Sequence, residues 1–108
     1  MNALAGKHQL STYLQLHIGK DRGITAAAIA VALGCNERQV RLMVTELRED
    51  GVAVCGHPAS GYFIAATPDE LEETCAFLRS RAMHSLVLES KLRHVPLPDL
   101  LGQLRLKT

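Results

Sequence analysis

The chain has 108 residues, 47% hydrophobic and 21% charged, which excludes a disordered polypeptide and leaves room for one domain with a modest core. Trp is absent and aromatics make up 4%, so the core must be built from Leu, Val, Ile and Ala, a composition suited to packed helices. The formal net charge of +1 excludes bulk positive charge as a means of holding a polyanion and leaves that task to a local stripe of cations.

Met1–Gly6 is expected to fray. Lys7–Ile18 reads as a first helix, because Leu10, Leu14 (or Tyr13) and His17–Ile18 recur at helical spacing. The polar loop Gly19–Gly23 ends it. Thr25 is a good N-cap for a second, alanine-rich helix anchored by Ile29 and Leu33, with Ile24 placed to pack on Ile29. The small alanines also let this helix lie close to a neighbour. Gly34 follows where a tight turn needs positive φ.

Asn36 is expected to cap a third helix. Val40, Met43, Val44 and Leu47 share its inward face. Arg38, Leu42, Thr45 and Glu49 lie opposite, flanked by Gln39, Arg41 and Arg48, and Gly51 stops the helix. Val52–Cys55 and Gly61–Ile64 read as two short strands, with Gly56–Ser60 as the loop between them. Thr67-Pro68-Asp69-Glu70 is the strongest local signal: a cap, Pro at the first helical position, and Glu three residues after the cap. A long helix is expected from there to His94, before Val95–Pro96 stops it. Its apolar stripe comprises Leu71, Cys75, Leu78, Ala82, Ser85–Leu86 and Leu92, widened by Phe77, Met83, Val87 and Leu88. Asp99–Leu106 suggests a last short helix. The expected fold is mainly α (α+β), with a unit over residues 1–66 and a helical extension over 67–108.

Helix, tight turn, helix and hairpin, in that order, make a winged helix-turn-helix, whose second helix is shaped to enter the DNA major groove. Gly34-Cys35-Asn36-Glu37-Arg38-Gln39-Val40-Arg41, Leu47-Arg48-Glu49-Asp50-Gly51 and Gly61-Tyr62 resemble the winged helix-turn-helix of DeoR-type and biotin-repressor-type bacterial regulators. The resemblance covers Ile24–Ile64. Leu42 and Met43 stand where those families usually carry polar residues. In size and layout the whole chain is similar to small phage or prophage winged-helix proteins. The resemblance implies a module for double-stranded DNA, with Arg38, Gln39 and Arg41 near the groove and the hairpin near a backbone.

The expected contact set is Asn36, Arg38, Gln39, Arg41, Leu42, Thr45 and Arg48, with His57 and Ser60 from the wing. Arg and Gln can bond base edges in pairs. The bland alternative is a solvated helix face, with Glu37 and Arg41 at ordinary i,i+4 spacing. Leu42 could touch a thymine methyl or sit in a protein interface. A protein–protein adaptor that uses the same fold without DNA is therefore the alternative function.

Cys35, Cys55 and Cys75 lack the spacing of a metal knuckle and are expected as small buried thiols, with no metal or cofactor. With no signal peptide or long apolar run, a reducing cytoplasm and no membrane association are expected. There is no Gly-rich phosphate loop, nucleophile elbow or paired catalytic carboxylates, so neither catalysis nor a small-molecule substrate is expected. The wide stripe on the long helix can be core packed on the first helix or a dimer seam, and a mixed role is expected because it exceeds what one small core can cover. A homodimer is expected through Leu71, Leu78, Ala82, Leu86 and Leu88.

Overall fold

The computed structural model describes residues 6–104. The described chain is mainly helical with one two-stranded antiparallel sheet, an α+β arrangement. Its elements are α1 (Lys7–Leu14), α2 (Ala26–Leu33), α3 (Glu37–Glu49), β1 (Val54–His57), β2 (Gly61–Ile64), α4 (Pro68–Arg93) and α5 (Leu97–Leu104), with a single 3-10 turn at Lys20–Arg22. Two compact units are formed, Met1–Thr74 and Cys75–Thr108. The expected fraying of Met1–Ala5 and the expected last residues of the final helix lie outside the described residues.

In the first unit, three short helices share one apolar centre. Leu10 and Leu14 come from α1, Ile29 and Ala30 from α2, and Val40, Met43, Val44 and Leu47 from α3; Val54 of β1 joins them, and all are buried. Each large aliphatic side chain so buried contributes about 1.5–3 kcal/mol. No one of these helices would be stable alone at such length, so tertiary packing is what holds them. Lys7 and Asp50 tie the start of α1 to the end of α3 through a 2.7 Å ion pair, and that carboxylate raises the Lys7 pKa above its usual value.

The turns are set by local chemistry. Thr25 Oγ1 accepts the Ala28 N–H at 3.1 Å and starts α2. Gly34, at φ 71°, closes α2 in the left-handed conformation. Asn36 Oδ1 then accepts the Gln39 N–H, while Gln39 Oε1 accepts the Asn36 N–H, a reciprocal cap that starts α3.

The first helix is shorter than its periodicity predicts. It stops at Leu14 because the following backbone is used elsewhere: His17 O accepts from Ile64 N at 2.9 Å, and Gly19 N donates to Ile64 O at 2.8 Å. Further along the same loop, Ile24 and Tyr62 exchange both backbone bonds, at 2.8 and 2.7 Å. The Gly19–Gly23 loop thus lies between two short pairings with β2. Strand β1 also starts later than expected. Val52 N donates to Leu47 O at 2.9 Å as part of the end of α3, so Val52 and Ala53 are not strand. The pairing runs Val54–Ile64, Cys55–Phe63, Gly56–Tyr62 and His57–Gly61, which shrinks the hairpin loop to residues 58–60.

Helix α4 begins on the expected signal. Thr67 Oγ1 accepts the Glu70 N–H at 3.2 Å, and Glu70 reaches back to Ala66 N at 2.8 Å. Glu70 also accepts Lys20 N at 3.0 Å, and Lys20 Nζ meets Glu73 at 3.0 Å. The two backbone bonds, Lys20 first and Ala66 second, hold the Glu70 carboxyl below its usual pKa. The helix ends at Arg93, one residue before the expected His94, which takes a left-handed φ of 56°. α5 starts at Leu97, two residues earlier than read from the sequence.

Candidate nucleic-acid interface

The third helix divides cleanly into two faces. Val40, Met43, Val44 and Leu47 are buried; Asn36, Arg38, Gln39, Arg41, Leu42 and Thr45 are exposed and run along the outer side. The two faces follow from the 3.6-residue period, and the buried row fixes which way the outer row points.

The outer residues differ in how far they are committed. Asn36 and Gln39 spend one side-chain oxygen each on the cap. Their amide groups leave donors for other partners. Arg41 meets Glu37 at 3.2 Å, one turn back, with both side chains largely exposed. A pair of this kind is worth about 0.3–0.5 kcal/mol and can exchange for a stronger anion. Thr45 Oγ1 bonds back to the Arg41 carbonyl at 3.1 Å. Arg38 is exposed and makes no hydrogen bond or ion pair among the described residues. Leu42 is 57% exposed in the middle of this face.

Arg48 is set apart from this group. It is half-buried, and its Nε donates to the Val54 carbonyl at 2.8 Å. The guanidinium lies under the hairpin, close enough to Gly56 that a β-carbon there would come within 3.4 Å of it. Its first role is to brace β1 against α3.

The two wing residues sit on either side of the short loop. His57 is the last residue of β1, half-buried, and its Nδ1 accepts the Ala59 N–H at 3.0 Å. Ser60 N donates to His57 O at 3.2 Å. Ser60 is pressed against Gly23, where any β-carbon would strike the Ser60 backbone. The hairpin is thus held from below by the Gly23–Ile24 segment. Sequence reading missed this support, although Gly23 and Gly61, each the one residue type that fits the crossing, were its visible trace.

The charges of α3 itself cancel: Arg38, Arg41 and Arg48 against Glu37, Glu46 and Glu49. The cations are concentrated toward the turn, at Arg38 and Arg41. Among the described residues there is no cluster of three or more His, Cys, Asp or Glu side chains able to hold a metal. The three thiols form no disulfide; Cys55 is buried and Cys35 half-buried, but Cys75 is exposed, contrary to the expectation that all three are buried. No helix among the described residues is long and apolar enough to cross a membrane.

The remaining expected contacts, Leu71, Leu78, Ala82, Leu86 and Leu88, all lie on α4, with Leu86 half-buried and the rest exposed. Comparison with protein-family models, with curated proteins and with solved structures returns no match.

Proposed function

We propose that this chain is a winged-helix module that binds double-stranded DNA through α3, with the β1–β2 hairpin as the wing, in the regulation or replication of a bacterial or phage genome. The observation that carries the reading is the outer face of α3. It follows a short turn from α2, its inner face is fully used by the core, and Arg38 and Arg41 stand at its first two turns. A helix entering the major groove contacts bases mainly with its N-terminal residues. The Arg48–Val54 bond supports the same reading, since it ties the start of the hairpin to the end of α3. The chain acts by binding, not by catalysis, and works in the cytoplasm.

A second reading, a protein–protein adaptor on the same fold, is favoured by Leu42 at the centre of the outer face and by the balanced charge of α3. A titration of labelled random-sequence duplex at two salt concentrations separates the two. DNA binding predicts an affinity that falls with salt, with a log–log slope of about 0.9 per phosphate neutralised. An adaptor predicts no saturable binding at either salt.

A further inference from the structure

On the reading that α3 enters the major groove, the bonds that start the helix also limit which bases it can read. Adenine is read by an amide that turns both its oxygen and its N–H2 to the base, and cytosine by a carboxylate that accepts from the amino group. Both need an acceptor on the helix, and near the start of α3 the acceptors are in use. Gln39 Oε1 accepts the Asn36 N–H at 2.9 Å, and Asn36 Oδ1 accepts the Gln39 N–H at 2.8 Å. Turning either amide to an adenine breaks this cap, at a cost of about fivefold in affinity. Glu37 Oε1 accepts from Arg41 Nη2 at 3.2 Å, and a carboxylate brought among phosphates is repelled by them. Glu49 stands in the last turn of α3, about 16 Å along the axis from Arg38. Thr45 gives its hydroxyl hydrogen to the Arg41 carbonyl at 3.1 Å, and the oxygen that remains suits adenine and cytosine alike.

Donors are what the outer face has in surplus. At about 100° per residue, Arg38, Arg41, Leu42 and Thr45 fall within one arc of about 100°, opposite the buried row of Val40, Met43, Val44 and Leu47. A guanidinium carries donors only, and two of its N–H groups match the O6 and N7 acceptors of guanine. Arg38 and Arg41 are three residues apart, the interval at which the helices of zinc fingers contact successive bases. Their separation along the axis, about 4.5 Å, is close to the rise of about 3.4 Å per base pair. Leu42, one turn beyond Arg38 and 57% exposed, has no polar side-chain atom. The group on a base edge that it complements is the thymine methyl.

We propose that α3 selects duplex DNA with two adjacent G·C pairs, one guanine read by Arg38 and one by Arg41, beside a thymine whose methyl packs on Leu42. Gln39, although it is an amide near the start of the helix, selects no adenine, because its oxygen holds the cap.

The test is selection by the full chain from a duplex library with a randomised centre, followed by titration of the enriched duplex by fluorescence anisotropy. Circular dichroism is the control for folding of each variant. The expected core is two adjacent G·C pairs beside a T·A pair. Replacing either guanine with 7-deazaguanine, which lacks the N7 acceptor, should weaken binding by the parent about tenfold. That penalty should fall below about twofold in Arg38→Ala for one guanine and in Arg41→Ala for the other. Uracil in place of the thymine deletes only the methyl; it should weaken the parent about threefold and leave Leu42→Ala unchanged. An enriched core of A·T pairs overturns the base assignment and leaves α3 as a DNA reader. So does a deazaguanine penalty that persists in both arginine variants, or saturable, salt-dependent binding with no enrichment. Absence of saturable binding at low and high salt removes DNA recognition by α3 itself, and the base assignment with it.

Discussion

The Arg48 guanidinium donates through Nε to the Val54 carbonyl oxygen at 2.8 Å, which clamps the last turn of α3 to the first residue of β1. A cation that sequence reading assigns to the DNA is therefore already in use within the fold. One of its terminal nitrogens also lies near Gly56.

Arg48→Met keeps the stem and deletes the donor. It should lower stability by about 1–2 kcal/mol, the range for a hydrogen bond from a charged donor that is partly solvated. Chemical denaturation at neutral pH measures the change. Duplex affinity of the folded variant should stay within about threefold of the parent, because the deleted charge is not one of the open ones. A tenfold or greater weakening in folded protein would return Arg48 to the contact set.

Gly34 and Gly61 both have left-handed backbone, at φ 71° and 78°, but only one has room for a side chain. Around Gly34 a β-carbon would meet nothing; at Gly61 it would strike the Ile24 backbone. Gly34→Ala should therefore cost about 1 kcal/mol, from the conformation alone. Gly61→Ala should cost about 2 kcal/mol or more, because the Ile24–Tyr62 pairing must open as well. Equal losses in paired thermal melts would show that the crossing contributes little.

The pattern of what was legible follows from range. Thr25, Gly34, Asn36, Gly51, and Thr67 with Glu70 act on backbone within four residues of themselves, and each element boundary they imply is observed to within one or two residues. The buried face of α3 was legible for the same reason, since Val40, Met43, Val44 and Leu47 carry their period locally. The start of β1 was not, because Val52 and Ala53 look like strand but are engaged by the end of α3 and by Ala65. The end of α1 was misread because Ile18 suits a helix as well as it suits a bridge to Ile64. Neither the Arg48 brace nor the Glu70 reach to Lys20, fifty residues apart, leaves any periodic trace.

Glu70 gives the fold a defined acid response. Its carboxylate accepts Lys20 N and Ala66 N, and its pKa is lowered from the ordinary value of 4.5 in consequence. A carboxyl depressed in the folded state adds stability that is fully present above its unfolded pKa and is lost as pH falls through the folded one. Glu70→Gln should therefore be less stable than the parent at pH 7, and the difference should shrink as pH drops below the usual carboxylate range. Urea denaturation of both proteins at several pH values gives the two curves. If they run parallel down to low pH, Glu70 does not titrate differently on folding.

Arg38 and Arg41 carry the proposed contact with DNA, and their surroundings make the substitution clean. Neither belongs to the buried row of α3, and the pair that Arg41 forms with Glu37 is solvated. Arg38→Ala with Arg41→Ala should change stability by less than about 0.5 kcal/mol. It should weaken duplex binding by about tenfold or more at matched salt, at ~1–3 kcal/mol for each good base contact, and should flatten the salt dependence by about one unit for each phosphate no longer neutralised. Leu42→Ser separates the alternative. On a DNA-binding face it removes at most one apolar contact with a base, so affinity should fall only a few-fold. If the double arginine variant binds duplex as tightly as the parent while Leu42→Ser abolishes capture of a protein ligand, the outer face of α3 is a protein interface, and its arginines serve solubility rather than recognition.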